Sequence, residues 1–293
     1  MAQVTKWTVK NLLTWITHYF TANEIDAPRL TAELLLSHVL GISRIQLYTD
    51  FDQAVEKPFL DKLHQLVKRA GEHEPVRYII GRTEFYSLTF EITSDCLIPR
   101  PETELLVERA IELIRKQHKN ALVCDLCTGC GCIAVAIAQN QPDTHLVATD
   151  VSQAALDVAL RNVEKYKLND KITLLNSNLF ESISRNSSIE KFDLIVSNPP
   201  YISEEEFENL DANVKNFEPK LALLAGVDGL DVYRRIAETA AHFLNDNGTI
   251  MLEIGNTQKD DVCTLFNQTG DWCDVFCEKD SFGNDRLVTA QKK

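Results

Sequence analysis

Residues Val123 to Ala138 read VCDLCTGCGCIAVAIA: an apolar run ending near an aspartate, a turn bearing two glycines, and a second apolar stretch of helical length. Four of the chain's eight cysteines fall here, at Cys124, Cys127, Cys130 and Cys132. Three readings compete for the stretch. A metal site would use the overlapping CxxC spacings of Cys124, Cys127 and Cys130, but structural zinc wants four converging ligands, usually as two separated pairs. The nearest second pair, Cys273 and Cys277, lies far along the chain, and no metal is expected. A redox pair at Cys127 and Cys130 would sit between strand and helix, where a helix dipole lowers a thiol pKa. The thioredoxin-like unit that this motif implies is much smaller than this chain. The third reading is a cofactor turn after a first strand, in which Gly129 and Gly131 permit positive φ and a close backbone approach. Asp150 ends the next strand about twenty residues on, where a carboxylate accepts hydrogen bonds from ribose hydroxyls. Strand, glycine turn, helix, strand and acid in register favour a nucleoside-cofactor site.

The surrounding chain fits that reading. From Glu102 onward helices and short apolar strands alternate. A helix at 102–117 precedes ALVCDL, a helix begins near Cys132, HLVATD follows, then a helix at 153–166 and KITLLN. FDLIVS, a helix at 230–244, GTIMLEI, a helix at 258–266 and two last strands near 272–277 and 286–289 complete the pattern. Such alternation predicts an α/β fold with a Rossmann-like, mostly parallel sheet covered on both faces. The last two strands have too short a connection for a parallel crossover, so an antiparallel C-terminal edge hairpin is expected. Before Gly81 the apolar spacing is helical, as in Leu12, Leu13, Ile16 and Phe20, with breaks at Ala27-Pro28, Gly41 and Lys57-Pro58. The expected organisation is a small all-helical N-terminal domain over 1–81, a β-hairpin and linker over 82–101 that includes EFYSLTFEIT, and a catalytic domain over 102–293. Residues 184–188 read as a surface loop.

The chain has 293 residues, of which 44% are hydrophobic, and a formal net charge of −13. That balance opposes direct nucleic-acid binding, which relies on Lys and Arg displacing counterions, and suits a basic protein partner. No apolar run long enough to span a membrane and no secretion-signal profile is present, so a cytoplasmic enzyme with reduced thiols is expected.

At the end of FDLIVS stands Asn198-Pro199-Pro200-Tyr201. Ligands of open parallel sheets collect at the carboxyl ends of strands, so this tetrapeptide faces the same crevice as the glycine turn. Two prolines stiffen the backbone and remove donors, leaving the Asn198 side chain and the Pro199 carbonyl as acceptors, with Tyr201 adding an aromatic surface. Two acceptors on a rigid frame suit a planar amino group whose nitrogen attacks an electrophile across the crevice.

DLCTGCG, Asp150 and NPPY together resemble S-adenosylmethionine-dependent methyltransferases of the class I fold that act on the planar nitrogen of an amide or adenine. The resemblance narrows through Glu74-Pro75-Val76-Arg77-Tyr78-Ile79-Ile80-Gly81, Glu84-Phe85-Tyr86 and Leu97-Ile98-Pro99-Arg100-Pro101-Glu102-Thr103-Glu104. It continues through Phe217-Glu218-Pro219, Asp228-Gly229-Leu230, Leu252-Glu253-Ile254-Gly255 and Asp285-Arg286. These motifs are similar to those of the peptide chain release factor glutamine methyltransferase family. The resemblance implies methyl transfer from S-adenosyl-L-methionine, leaving S-adenosyl-L-homocysteine, to the side-chain amide nitrogen of the glutamine in the Gly-Gly-Gln motif of release factors. It also implies that Cys127, Thr128, Gly129, Cys130 and Gly131 line the methionine and ribose of the cofactor, with Asp150 at the ribose and Leu179 at the adenine. Asn198, Pro199, Pro200 and Tyr201 would hold the glutamine, Asn198 also lying against the cofactor, with Asn198, Pro199 and Tyr201 carrying catalysis. Two positions depart from the family's pattern: Cys127 stands where glycine is common, and Asn178-Leu179 where an acid and an aromatic are frequent.

Adenine-N6 methylation of nucleic acid, glutamine methylation of a ribosomal protein and dithiol oxidoreduction stand as alternatives. Arg100, Glu102 and Glu104 read equally as helix-capping acids paired with the arginine or as a loop over the cofactor. Glu204, Glu205, Glu206 and Glu208 read as a solvated helix face beside NPPY or as a contact for a basic surface. Oxidation of Cys127 and Cys130 is a conceivable block to cofactor binding.

Overall fold

The computed structural model describes residues 7–117, 120–185 and 191–293. Contacts divide the chain into two units, 1–82 with 212–217, and 83–211 with 218–293.

The first unit is helical. α1 (Val9–Ala22) is N-capped by Thr8, whose hydroxyl accepts from the Asn11 N–H. α2 (Pro28–Leu40) begins on the proline that removes one orphan donor and ends at Gly41 in the left-handed region. α3 (Arg44–Thr49) starts in a capping box made by Ser43 and Gln46. α4 (Lys57–Gly71) and α5 (Val76–Ile80) complete the unit. Leu13, Ile16, Phe20, Leu35, Leu36 and Leu47 are fully shielded in its core. Beside that core the buried Glu33 carboxylate accepts from Arg29, Arg44 and the Tyr48 hydroxyl. Burial opposes its charge, yet these three donors together hold it below the ordinary carboxylate range.

The second unit opens with a hairpin of β1 (Arg82–Phe85) and β2 (Leu88–Glu91). Its two-residue turn places both Tyr86 and Ser87 at positive φ, 49° and 61°, the type I′ geometry that matches strand twist. A short 3-10 turn at Pro101–Thr103 leads into α6 (Glu104–Gln117), β3 (Leu122–Leu126), α7 (Cys132–Asn140), β4 (His145–Asp150) and α8 (Gln153–Lys165). β5 (Ile172–Asn176), α9 (Glu181–Ser184), β6 (Phe192–Ser197) and α10 (Glu204–Glu208) follow. After α11 (Ala212–Lys215), which groups with the helical unit, come α12 (Asp231–Thr239), β7 (Leu244–Glu253), α13 (Lys259–Thr269), β8 (Trp272–Lys279) and β9 (Asp285–Lys292).

Seven strands form one sheet in the order β5-β4-β3-β6-β7-β9-β8. The first five pair in parallel, while β9 inserts antiparallel between β7 and β8. The mostly parallel sheet with an antiparallel C-terminal hairpin is therefore the architecture that the pattern of elements predicts. α12 and α13 bury Tyr233, Ile236, Val262 and Phe266 against Leu126, Ile195, Ile250 and Leu252 of the sheet. β3 and β6, central and parallel, are buried almost throughout, which is why they read as continuous apolar runs rather than alternating ones.

Three boundaries differ from expectation. The helix expected over 230–244 ends at Thr239 and gives way to a 3-10 turn at Ala240–Phe243, because Leu244 already pairs with Phe192 across the sheet. Between Leu244 and Thr249 the β7 register shifts, so the intervening polar residues loop out and Gly248 fits against Leu244. The helix expected from Glu102 opens with the 3-10 turn and is α-helical only from Glu104. Of the expected 184–188 loop, Ser184 and Arg185 close α9 and the remainder lies outside the described residues.

Candidate active site

The strand order reverses between β3 and β6, and the loops leaving their carboxyl ends flank that switch point, where open α/β sheets hold ligands. The β3 loop is fixed from below by Asp125. Its Oδ2 accepts from the Thr128 hydroxyl at 2.6 Å and from the Ala134 N–H at 3.2 Å, tying the turn to the first turn of α7. Burial pushes the Asp125 carboxyl up to about 7, and its Oδ1 has no hydrogen-bond partner. The turn then needs three left-handed residues: Cys127 at φ 57°, Gly129 at 55° and Gly131 at 80°. A β-carbon on Gly131 would come within 3.2 Å of the Ala159 Cβ, so this glycine seats α7 on α8. At Gly129 there is open space where a β-carbon would stand, leaving the backbone free to approach a ligand.

Asp150 closes β4 beside the turn. Its Oδ2 accepts from the Gly129 N–H and its Oδ1 from the Ser152 N–H, each at 2.9 Å. Burial nonetheless raises its pKa. Each carboxylate oxygen has a second lone pair, so the group keeps acceptor capacity for a vicinal diol. A cavity of about 340 Å³ lies among these segments, walled by Thr128, Gly129, Asp150, Leu179 and Asn198, with Ile133 and Val151 adding apolar surface. Its size and its apolar wall with few polar groups suit a small-molecule cofactor. Cys127, Cys130 and Pro200 also line it, whereas Gly131, Pro199 and Tyr201 do not.

The β6 loop forms the other wall. Ser197 donates to the Leu126 carbonyl at 2.7 Å, locking the ends of β6 and β3 together. Asn198 Nδ2 donates to Thr103 Oγ1 at 3.1 Å. The Asn198 amide is thereby oriented, and its Oδ1 is left as the acceptor. Behind the prolines, Gln258 Nε2 donates to the carbonyls of Tyr201 at 2.9 Å and Gly229 at 3.3 Å, and its Oε1 accepts from the Gly255 N–H at 3.0 Å. One side chain thus clamps NPPY to the Asp228-Gly229-Leu230 and Leu252-Gly255 segments. Gly229 is required there, since a β-carbon would fall 2.4 Å from the Tyr201 carbonyl oxygen. The Tyr201 ring packs against the core, and burial raises its hydroxyl pKa to about 12.

Residues 97–103 are tied to 218–222 by Glu218. This buried carboxylate accepts from Arg100 at 2.6 Å and from the Ile98 N–H at 3.4 Å, and Leu97, Pro99, Pro219 and Leu221 line the cavity. Arg100 therefore pairs with Glu218, not with Glu102 or Glu104. Glu104 instead accepts from the Tyr86 N–H at 2.8 Å, bracing the strained hairpin turn.

Comparison with known proteins now bears on this geometry. Residues 11–81 match a PrmC N-terminal domain model and residues 102–216 a methyltransferase small domain model. The chain is 41% identical to the release factor glutamine methyltransferase of Rhodopirellula baltica, covering 98% of this chain and 97% of that one. It is 40% identical to that of Geobacter sulfurreducens over 96% of each. The chain belongs to the release factor glutamine methyltransferase family. Among solved structures, the hMettl16 catalytic domain aligns with a TM-score of 0.56 at 16% identity, covering 81% of this chain and 82% of that one. That likeness is one of fold.

In this methyltransferase the two departures fall at conformationally marked positions. Cys127 and Leu179 both sit in the left-handed region, at φ 57° and 53°, where glycine would be unstrained. Asn178, in the usual place of an acid, donates to Glu181 and accepts from Arg235 at 3.0 Å each. The thiol environments do not favour the redox reading. Burial pushes the Cys127 thiol up to about 12, the opposite of a helix-activated thiolate, and the hydrogen bond with the Cys132 thiol together with burial raises Cys130, against a hydrogen bond with the Cys96 thiol that lowers it. Cys127 is half-buried at the cavity wall and Cys130 is buried, and a protonated thiol is a poor nucleophile. No His, Cys, Asp and Glu cluster able to hold a metal occurs among the described residues.

The acidic run forms α10, capped by Ser203 with Glu206 folded back on the Ser203 N–H at 2.9 Å. Glu206 is thus a capping residue, and Glu204, Glu205 and Glu208 are exposed. Sequence reasoning missed Thr103, Glu253, Gln258 and Asn162. The last is fully buried and donates 2.9 Å hydrogen bonds to the carbonyls of Cys130 and Glu91, anchoring the cofactor-side turn from behind. Only an Asn in an otherwise apolar helix face signals it.

Proposed function

We propose that the chain transfers a methyl group from S-adenosylmethionine to the side-chain amide nitrogen of the glutamine in the Gly-Gly-Gln motif of peptide chain release factors. The observation that carries this reading is the Asn198 amide, turned by Thr103 so that its oxygen is the free acceptor beside the cavity. Open space at Gly129, the Asp150 carboxylate and the apolar wall at Leu179 fit a nucleoside-bearing sulfonium. Cys127, Thr128, Gly129 and Cys130 would border its methionine and ribose, Asp150 its ribose hydroxyls and Leu179 its adenine. When bound, S-adenosylmethionine supplies a methyl group made electrophilic by the sulfonium.

The chain's own residues supply position and electrostatics. An amide nitrogen is a weak nucleophile because its lone pair is delocalised, and hydrogen bonds from its two N–H groups to Asn198 Oδ1 and the Pro199 carbonyl favour the positive charge that builds on nitrogen. The double proline, held by Gln258, keeps both acceptors on a stiff frame. No base is required for attack, and the acidic nitrogen formed loses its proton to water. The helical N-terminal domain is assigned to recognition of the release factor, a partner met in the cytoplasm, and the net charge of −13 suits a basic protein surface.

Asn198→Ala tests the reading. Turnover on a release factor should fall by about a hundredfold or more, the scale of losing an oriented polar group at a reacting centre, while the Kd of S-adenosylmethionine measured by calorimetry changes little. Near-normal turnover in this variant would exclude Asn198 from the role.

A further inference from the structure

Behind Asn198 stands a pair of groups to which the reaction as described gives no part. Thr103, from the 97–104 motif, and Glu253, the last residue of β7, are each 2% exposed. The Thr103 hydroxyl accepts from Asn198 Nδ2 at 3.1 Å and stands beside the Glu253 carboxylate, whose charged form it favours. Glu253 Oε2 is buried without a partner, while the Tyr233 hydroxyl donates to the Glu253 backbone carbonyl at 2.7 Å and pins the strand end. Burial raises the Glu253 carboxyl and Glu102 adds to this, while Thr103, Arg286 and Arg100 favour its charged form.

A threonine hydroxyl has a single proton. If its oxygen accepts from Asn198, the proton must point elsewhere, and the carboxylate is the acceptor at hand. An amide can flip end for end with little change in shape, so something must decide which end faces the crevice. We propose that Glu253 and Thr103 form a positioning relay, Glu253 carboxylate to Thr103 hydroxyl to Asn198 Nδ2, that sets the Asn198 amide with its oxygen toward the substrate amino group. Thr103 lines the cavity, and in this relay both residues act through Asn198. The relay rests on the role given to Asn198, and it explains why a buried carboxylate with an unpartnered oxygen is kept at the end of β7.

The test uses the full-length enzyme with a purified release factor. Thr103→Val keeps the shape and removes the hydroxyl. It should lower kcat by about tenfold to a hundredfold, the usual scale of lost orientation, with the Kd of S-adenosylmethionine and the melting temperature nearly unchanged. Thr103→Ser, which restores the hydroxyl, should bring kcat back to within a few-fold of the starting enzyme. Glu253→Gln, whose amide can present a donor to the threonine, should lower kcat in the same sense. If Thr103→Val retains full kcat, or if Thr103→Ser fails to restore it, the relay is wrong. Asn198→Ala measured alongside separates the two levels: an active Asn198→Ala enzyme overturns the role of Asn198 itself, whereas an inactive one beside a fully active Thr103→Val enzyme overturns only the relay.

Discussion

Asp125 shows what a single buried group does to this site. Its Oδ2 organises the glycine turn after β3, and burial holds its carboxyl at about 7, against about 3.9 in an unfolded chain. Between those values the folded protein keeps a proton that the unfolded chain has lost. This contribution to stability is therefore fully favourable below the unfolded pKa and fades as pH rises through the folded one, opposite to a salt-bridged carboxylate. Asp125→Asn cannot titrate. Urea unfolding of both proteins near pH 5 and pH 8 should show the wild type losing stability relative to the variant as pH rises. A constant difference would mean that Asp125 titrates normally. The sequence made Asp125 visible as the residue closing a strand before a glycine turn, but not as a buried acid, because nothing in the local pattern says which lone pair lacks a donor. Thr103 and Glu253 were hidden for a related reason. They meet Asn198 only when segments about a hundred and fifty residues apart come together at the switch point, and a single chain's periodicity carries no pairing information.

At the scale of elements, the strands and helices were legible wherever burial imposes a period. FDLIVS and ALVCDL are apolar apart from Asp193, Ser197 and Asp125 because helices cover their sheet, and Pro28, Gly41 and Pro58 mark helix ends through fixed or permissive φ. Short elements such as α5 and α9 escape notice, since one or two turns show no period; α10, legible from its acidic run, is defined by its capping box rather than by an apolar face. The hairpin was expected, yet its turn breaks the usual composition: Tyr86 and Ser87 take left-handed conformations that glycine or asparagine would hold more easily. Glu104 holds this turn by accepting from the Tyr86 N–H. Ser87→Gly relieves one strained residue and should stabilise the protein by about 1 kcal/mol, the scale of left-handed strain at a residue with a β-carbon. A shift of the urea midpoint upward checks this. A downward shift would show that the turn is not strained at Ser87.

For the whole molecule, fold and chemistry separate. The fold is shared with the hMettl16 catalytic domain at only 16% identity, and an architecture alone does not choose a substrate. In the proposed reading the choice falls to the segments around the crevice: NPPY clamped by Gln258, the 97–104 segment tied through Arg100 to Glu218, and the acceptor face of Asn198. Relatives aligned over nearly the full chain carry the release factor assignment, and the net charge of −13 points away from a phosphate backbone as the bound surface. The most direct measurement is competition among acceptors: the enzyme and labelled S-adenosylmethionine are incubated with a purified release factor, a ribosomal protein and DNA, and every methyl group is mapped by mass spectrometry. One methyl on the glutamine of the Gly-Gly-Gln motif is the predicted result, whereas label on DNA or ribosomal protein with none on the release factor would contradict it.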